Sequence, residues 1–226
     1  YGEKALDKLR GMFGFAVWNE KEQTLMLARD FFGIKPVYYA EIDGHFVFAS
    51  EIKSILVFPG YERKVNQKAL EQYLSFQYSP LEETFFKGIY KLMPGHMLLY
   101  KNGSYEIKTY FKPKLTPGQW DHKTNMAQLR SQLSEILKDS VKHHMLSDVE
   151  VGAFLSGGVD SGYLASSSGA DQAFTVGFDE GDRYSEVNKA AKVAEKVGLK
   201  HHVKIISKQE FWDALPDVMY HMDEPL

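Results

Sequence analysis

The sequence contains no cysteine, and its 226 residues have almost no excess of either charge. The lack of cysteine excludes disulfides, thiolate metal sites and a cysteine nucleophile within these residues. A net charge of −3, from 27 basic and 30 acidic side chains, gives no sign of a nucleic-acid or anionic-lipid surface. No apolar run approaches the roughly 18 residues of a membrane span, and the first residues lack a signal-peptide pattern. The composition present, 44% hydrophobic and 25% charged, predicts a globular fold with a sizeable core.

The ends of the chain are unusual for a complete protein. It begins at Tyr1 without an initiator methionine, and residues 225–226 follow a helical pattern directly. We interpret the chain as a segment of a longer protein, with processed termini on a complete protein as the alternative. Its length allows one large domain or two small ones. Residues 112–122 contain two prolines and a glycine and lack periodicity, so they predict a domain linker.

The first half of the chain is predicted to be antiparallel β-sheet. Apolar segments at 13–18, 24–28, 37–40 and 45–48 are separated by polar turns, as in a meander. Asn102-Gly103 predicts a tight hairpin within residues 96–111. Between these sheet segments, Asn66 is placed to cap a helix that has Leu70, Tyr73 and Leu74 on one face.

The second half alternates between strand and helix patterns. After an amphipathic helix at 124–146, a buried strand is expected at 151–155, and further strands are expected at 173–178 and 202–206. Ser185 is expected to cap the helix that Gly198 ends, and Ser207 and Glu210 form the capping box of a last helix, which Pro216 is expected to kink. This alternation predicts right-handed βαβ units and a parallel sheet, so the fold class is α/β overall.

The stretch Ser156-Gly157-Gly158-Val159-Asp160-Ser161 lies between the first parallel strand and its helix. The glycines permit a tight turn and close ligand approach, and the helix N-terminus offers free N–H groups to an anion such as pyrophosphate. Asp160 would repel phosphate, but a bridging Mg²⁺ removes that conflict, because Mg²⁺ prefers one or two carboxylates plus phosphate oxygens. The stretch is neither a Walker A loop nor a G-x-G-x-x-G fingerprint, and an ordinary glycine-rich turn is the alternative.

This stretch resembles the pyrophosphate loop of the PP-loop ATP pyrophosphatase superfamily. The chain as a whole resembles glutamine-hydrolysing asparagine synthetases, because several family stretches recur in family order over nearly its full length. They are RGMFGFAVW at 10–18, ARDFFGIKPVYY at 28–39, ASEIK at 49–53, LMPGH at 92–96, VGAFLSGGVDS at 151–161, FTVGF at 174–178 and SE at 185–186.

The resemblance implies a function for each half. Residues 1–111 would be the C-terminal part of an N-terminal-nucleophile α+β glutaminase domain, and residues 123–226 the N-terminal part of a Rossmann-like PP-loop synthetase domain. The family converts aspartate, glutamine and ATP to asparagine, glutamate, AMP and pyrophosphate through a β-aspartyl adenylate. By position, Ser156, Gly157, Gly158, Asp160 and Ser161 would hold pyrophosphate and Mg²⁺, while Phe154, Leu155 and Val176 would meet the nucleotide. A cytoplasmic enzyme is implied, with a homodimer as an open question.

The sequence also departs from the family pattern. The family's glutaminase nucleophile is an N-terminal cysteine, so we expect no catalytic residue within this segment and no activity of residues 1–226 alone. Relatives that amidate another carboxylate, such as β-lactam synthetases or sugar and peptide amidotransferases, remain alternatives. A non-catalytic fragment that at most binds nucleotide is a further alternative.

Other polar residues are interpreted as structural. The histidines at 143–144, 201–202 and 221 lack the spacing of a metal site and are expected to face solvent or lie in linkers. Arg29 and Asp30 could reach a substrate, but an ion pair that holds the turn before Pro36 is the preferred interpretation. Residues 179–182 form an acidic loop, which is interpreted as solvated, with a role beside the nucleotide as the alternative.

Overall fold

A computed structural model describes residues 1–115, 125–179 and 185–224. The chain divides into two compact units, one of Tyr1–Leu115 with Asp217–Leu226 and one of Thr116–Pro216. Of the expected linker, residues 112–115 have no helix or strand, and residues 116–122 lie outside the described residues. Residues 180–182 of the acidic loop and the chain end at 225–226 also lie outside them.

The first unit is built from two antiparallel sheets, so the antiparallel pairing expected there is confirmed. The expected meander is not continuous, because the segments at 24–28 and 37–40 lie in different sheets. One sheet has the order β1-β2-β6-β7 and the other the order β4-β3-β5. Their bounds are β1 Gly14–Asn19, β2 Thr24–Arg29, β3 Tyr38–Ile42, β4 His45–Ala49, β5 Ile89–Lys91, β6 His96–Lys101 and β7 Ser104–Thr109. The two-residue turns at Asp43-Gly44 and Asn102-Gly103 have positive φ throughout, and this conformation matches the twist of a hairpin.

Large apolar side chains fill the core of this unit. One cluster includes Leu27, Tyr39, Leu92 and Leu98, and a second joins the β4-β3-β5 sheet to the short helix α1, Ile52–Leu56. Helix α2, Gln67–Phe76, begins at Asn66, whose side chain accepts a hydrogen bond from the Ala69 N–H, so the predicted cap is confirmed. A 3-10 helix, Gly2–Lys8, buries Leu6 beneath the larger sheet.

The turn between β2 and β3 is held by Arg29 and Asp30. Asp30 is 1% exposed and accepts hydrogen bonds from the backbone N–H groups of Phe13, Phe32, Ile34 and Lys35, at 2.9–3.3 Å. The Arg29 guanidinium donates to the carbonyls of Gly33, Lys35 and Leu92 at 2.7–2.9 Å. Both side chains therefore hold the turn, as expected, but the contacts that do so are hydrogen bonds to backbone groups and not the expected ion pair between the two side chains.

The chain segment after residue 222 also packs within the first unit. Asp223 accepts hydrogen bonds from the N–H groups of Ile52 and Lys53, at 2.7 and 3.2 Å, and its carboxylate lies 3.3 Å from Lys53 Nζ. These contacts satisfy donors at the start of α1, which its N-cap Glu51 leaves without a side-chain partner.

The second unit contains a parallel sheet of order β10-β9-β8, as the strand–helix alternation predicted. Its elements are α3 Met126–His144, β8 Ala153–Phe154, α4 Val159–Ser168, β9 Gln172–Phe178, α5 Val187–Val197 and β10 Lys200–Ile206, and α6 Lys208–Met222 begins in this unit. Small side chains dominate the core, which consists of Leu155, Ala165, Ala173, Ala190 and Ala194. Small residues let α4 and α5 approach the sheet closely.

Several local predictions are confirmed in this unit and two are wrong. The Ser207 and Glu210 capping box is present, with reciprocal hydrogen bonds of 2.8 and 3.1 Å, and Gly198 ends α5 with φ +80°. Ser185 does not cap α5, because the helix begins at Val187 and its N-cap is Glu186, which makes no side-chain capping hydrogen bond. The strand expected at 151–155 shrinks to two residues at the end of the sheet order, and Phe154 is exposed rather than buried. Pro216 lies inside α6, and its kink stays a prediction.

Candidate nucleotide-phosphate site

The glycine-rich loop lies where the sequence predicted it, between a parallel strand and a helix. Leu155 follows β8, is almost fully buried, and donates its N–H to the Phe174 carbonyl at 2.9 Å. The loop then leads to α4, which begins at Val159. The loop therefore projects from the carboxyl end of a parallel strand, where ligands of open α/β sheets bind.

The two glycines of the loop have different structural roles. Gly157 has φ +77°, and a Cβ there would lie 2.6 Å from Lys189 Cβ and 2.8 Å from the Ala190 backbone nitrogen. Only glycine fits this position, because α5 packs directly against the loop backbone. Gly158 has φ −74° and is the N-cap of α4, and a Cβ there would make only ordinary contacts.

Two serine hydroxyls hold the loop in shape. The Ser156 and Ser161 Oγ atoms are 2.9 Å apart, and the Ser156 N–H donates to Ser161 Oγ at 3.3 Å. The Gly158 N–H donates to Ser156 Oγ at 3.4 Å. The first ladder bond of α4 runs from the Gly162 N–H to the Gly158 carbonyl at 3.0 Å. The N–H groups of residues 159–161 precede that bond and lack an intrahelical acceptor, so they are available to an anion.

Asp160 is exposed in the first turn of α4. It also lines a groove of about 530 Å³ between α3 and α4, together with Arg130 and Tyr163. An exposed carboxylate beside N–H groups suited to phosphate fits Mg²⁺, which binds few protein carboxylates and completes its shell with phosphate and water oxygens. Within the described ranges no group of three or more His, Cys, Asp or Glu side chains could hold a metal by itself.

The three residues expected to meet the nucleotide do not form one cluster. Leu155 is buried toward α4 and α5, whereas Phe154 is 86% exposed and Val176 is 54% exposed. Phe154 is paired in register with Phe174, on the face of the sheet that also bears Val176. Strand β9 continues two residues beyond Val176, to Phe178.

Behind the loop lies a polar pair that the sequence interpretation missed. Thr175 is 5% exposed, and its hydroxyl donates to the Leu155 carbonyl at 2.6 Å. His201 Nε2 lies 2.7 Å from the same hydroxyl, and His202 Nε2 lies 2.9 Å from Gln172 Oε1. The expectation that these two histidines face solvent is wrong, because strand pairing places both beside polar partners on β9. The sequence did offer one indication of this pair, because Thr175 places a hydroxyl within the otherwise apolar stretch 173–178.

Comparison with known proteins gives matches in both halves of the chain. Residues 1–111 match the family model of the glutamine amidotransferase domain, and residues 132–226 match the model of asparagine synthase. In the described part of the chain, no helix is long and apolar enough to cross a membrane.

Curated relatives match over essentially the whole chain. Asparagine synthetase [glutamine-hydrolyzing] 1 of Bacillus subtilis is 39% identical over 231 residues, and a putative asparagine synthetase of Mycobacterium tuberculosis (strain H37Rv) is 36% identical over 235. The amidase chyE of Penicillium rubens is 30% identical over 246 residues. Each match covers 100% of this chain but 36% of the relative, so the chain spans about a third of the length of these proteins.

Proposed function

We propose that this chain is part of an asparagine synthetase, because residues 1–111 match the family model of the glutamine amidotransferase domain and residues 132–226 match that of asparagine synthase. The proposed reaction converts aspartate to asparagine with ammonia from glutamine. ATP activates aspartate as β-aspartyl-AMP, and AMP and pyrophosphate are released. The observation that carries the proposal is the geometry of the loop at 156–161, which presents N–H groups, two hydroxyls and one carboxylate at the carboxyl end of a parallel strand.

In this proposal the loop binds the pyrophosphate portion of ATP. The N–H groups at the start of α4, with the positive end of the helix dipole, would hold phosphate oxygens. The Ser156 and Ser161 hydroxyls, 2.9 Å apart, would exchange their mutual hydrogen bond for bonds to phosphate. Gly158 adds no side chain at the start of α4, and Gly157 lets the loop backbone pack against α5.

Asp160 would hold Mg²⁺ in the same proposal. A bound Mg²⁺ would neutralise charge that develops on the phosphate oxygens. The exposure of the Asp160 carboxylate leaves its oxygens open to a ligand, which supports this role. Phe154, Leu155 and Val176 are proposed to contact the nucleotide, with Val176 acting through its backbone.

The domain boundaries are part of the proposal. Residues 1–111 would be the C-terminal part of the glutaminase domain, 112–122 the linker and 123–226 the N-terminal part of the synthetase domain. None of the 226 residues is cysteine, so the glutaminase nucleophile of the family is not among them. A cytoplasmic location and assembly as a homodimer complete the proposal, and fractionation and light scattering test them.

The decisive experiment measures products from ATP. The protein from the complete reading frame is supplied with ATP, Mg²⁺, ammonia and aspartate, so that glutamine hydrolysis is bypassed. We expect AMP and pyrophosphate in equal amounts, and only when aspartate is present. Formation of ADP and orthophosphate would contradict the adenylate mechanism. Product formation with another carboxylate, but not with aspartate, would contradict the proposed acceptor.

A further inference from the structure

The peptide group that enters the loop is held at both of its edges. This peptide joins Leu155 to Ser156, and its carbonyl accepts a hydrogen bond from Thr175 Oγ1 at 2.6 Å. Its N–H, that of Ser156, donates to Ser161 Oγ at 3.3 Å. The plane of this peptide sets the direction in which Ser156 and the two glycines leave the sheet, because a peptide is rigid about its own bond.

The direction of the hydrogen bonds at Thr175 follows from counting donors. A hydroxyl has one proton, and the Leu155 carbonyl can only accept, so the Thr175 proton lies toward Leu155. His201 Nε2, 2.7 Å from the same hydroxyl, must therefore be the donor. Two consecutive hydrogen bonds result: His201 Nε2–H donates to Thr175 Oγ1, and Thr175 Oγ1–H donates to the Leu155 carbonyl. This arrangement also assigns a proton to Nε2 of His201.

We propose that Thr175 and His201 are positioning residues, which hold the Leu155–Ser156 peptide so that the loop presents its N–H groups and hydroxyls in the geometry needed for pyrophosphate. Burial supports this role. Thr175 and Leu155 are 5% and 2% exposed, so water does not readily replace the hydroxyl. A buried carbonyl that loses its donor stays unsatisfied unless the backbone moves, and the backbone that follows this carbonyl is that of the loop. The expected effect on catalysis rests on the proposed function, whereas the expected effect on the loop backbone does not.

The chain offers a matched control in the first unit. Thr84 is fully buried, and its hydroxyl donates to the Ile89 carbonyl at 2.9 Å, in the same kind of contact. Thr84→Val and Thr175→Val therefore remove the same group from similar surroundings, and both should lower stability. Only Thr175→Val should alter the loop, because Thr84 lies among β5 and its neighbouring turns.

The first measurement is hydrogen–deuterium exchange of residues 154–162 in the protein from the complete reading frame. We expect faster exchange in Thr175→Val than in the wild type or Thr84→Val, with Thr175→Ser close to wild type because it keeps the hydroxyl. His201→Leu should accelerate exchange in the same peptide, while His202→Leu, which removes a neighbouring side chain bound to Gln172, should not. Unchanged exchange in Thr175→Val would overturn the inference, whether or not the protein makes asparagine.

The second measurement is the rate of aspartate-dependent pyrophosphate release with ammonia supplied. In Thr175→Val we expect kcat to fall roughly tenfold or more, because small displacements of positioning groups cost large factors in rate. The KM for aspartate should stay unchanged, and Thr175→Ser should restore kcat. A wild-type protein without pyrophosphate release would contradict the proposed function but leave the exchange result to decide the inference. An active wild type with an equally active Thr175→Val would overturn it.

Discussion

Asp30 and Asp160 both belong to loops that follow a β-strand, yet the structure places them in opposite situations. Asp30 is buried, and four backbone N–H groups occupy its oxygens. Burial alone would raise the pKa of Asp30, but the hydrogen bonds from Lys35, Ile34, Phe32 and Phe13 together hold this pKa below its ordinary value. Asp160 is exposed at the first turn of a helix, beside a groove. A carboxylate whose oxygens accept hydrogen bonds from its own turn stabilises that turn. A carboxylate whose oxygens are exposed can bind a ligand.

The largest expected effect concerns the activity that depends on Asp160. Asp160→Asn in the protein from the complete reading frame should lower aspartate-dependent pyrophosphate release by roughly a thousandfold, because a direct metal contact is worth several kcal/mol at the transition state. Asp171→Asn is the matched control, since Asp171 is an exposed aspartate in the turn before β9 and should retain activity. Equal rates in the two variants would remove Asp160 from the site.

Asp30→Asn should produce the opposite pattern, with a large effect on stability. We expect a loss of about 3 kcal/mol in the free energy of unfolding, because the amide accepts with one oxygen and leaves buried N–H groups unpaired. Asp160→Asn should change stability by less than about 0.5 kcal/mol, as surface substitutions usually do. Denaturant titration of both variants measures the difference. Similar losses in both would show that burial does not distinguish the two aspartates.

The glycines of the loop provide a comparison within the candidate site. Gly157→Ala should destabilise the protein by about 2 kcal/mol, because alanine would have to adopt a strained positive φ and its Cβ would clash with the backbone of α5. Gly158→Ala should cost about 1 kcal/mol or less, since its φ is negative and its Cβ would lie 3.4 Å from Ser156 Oγ. Thermal unfolding of the two variants tests this order, and a reversed order would contradict the packing of α5 against Gly157.

The smallest effect is a dependence on pH that arises from Asp30. Its pKa in the folded protein is lowered, so its contribution to stability is complete above the unfolded value of about 3.9 and is lost as pH falls through the folded value. The stability difference between the wild type and Asp30→Asn should therefore shrink below about pH 4. Unfolding midpoints measured at pH 3 and pH 7 provide the test, and an identical difference at both would exclude this linkage.

Much of the fold was predictable because it depends on local physics. The positive φ values at Asn102 and Gly103, the reciprocal capping of Ser207 and Glu210 and the glycine stop at Gly198 each require only neighbouring residues. The position of the glycine-rich loop was also predictable, since its glycine pair lies between a strand pattern and a helix pattern.

The errors occurred where distant residues decide the outcome. Phe154 was expected to be buried because it lies in an apolar run, but the face of the sheet that bears it is exposed, as Phe174 and Val176 on the central strand β9 show. Ser185 has the right residue type for a cap, yet the N-cap of α5 is the next residue, Glu186, and Gly177 packs against Ser185 and Val187. The histidines at 201–202 were wrongly expected to face solvent, because their partners on β9 are known only once the pairing of the strands is known.

The sequence by itself determined the order and type of most elements, the two kinds of sheet and the residues of the loop, because hydrophobic period, turn chemistry and capping act over a few residues. Tertiary structure alone decided that Asp30 is buried while Asp160 is exposed. It also decided that Thr175, 20 residues after Leu155, and His201, 26 residues after Thr175, support the loop. Hydrogen bonds of this kind depend on strand register, and register is set by the packing of the whole sheet.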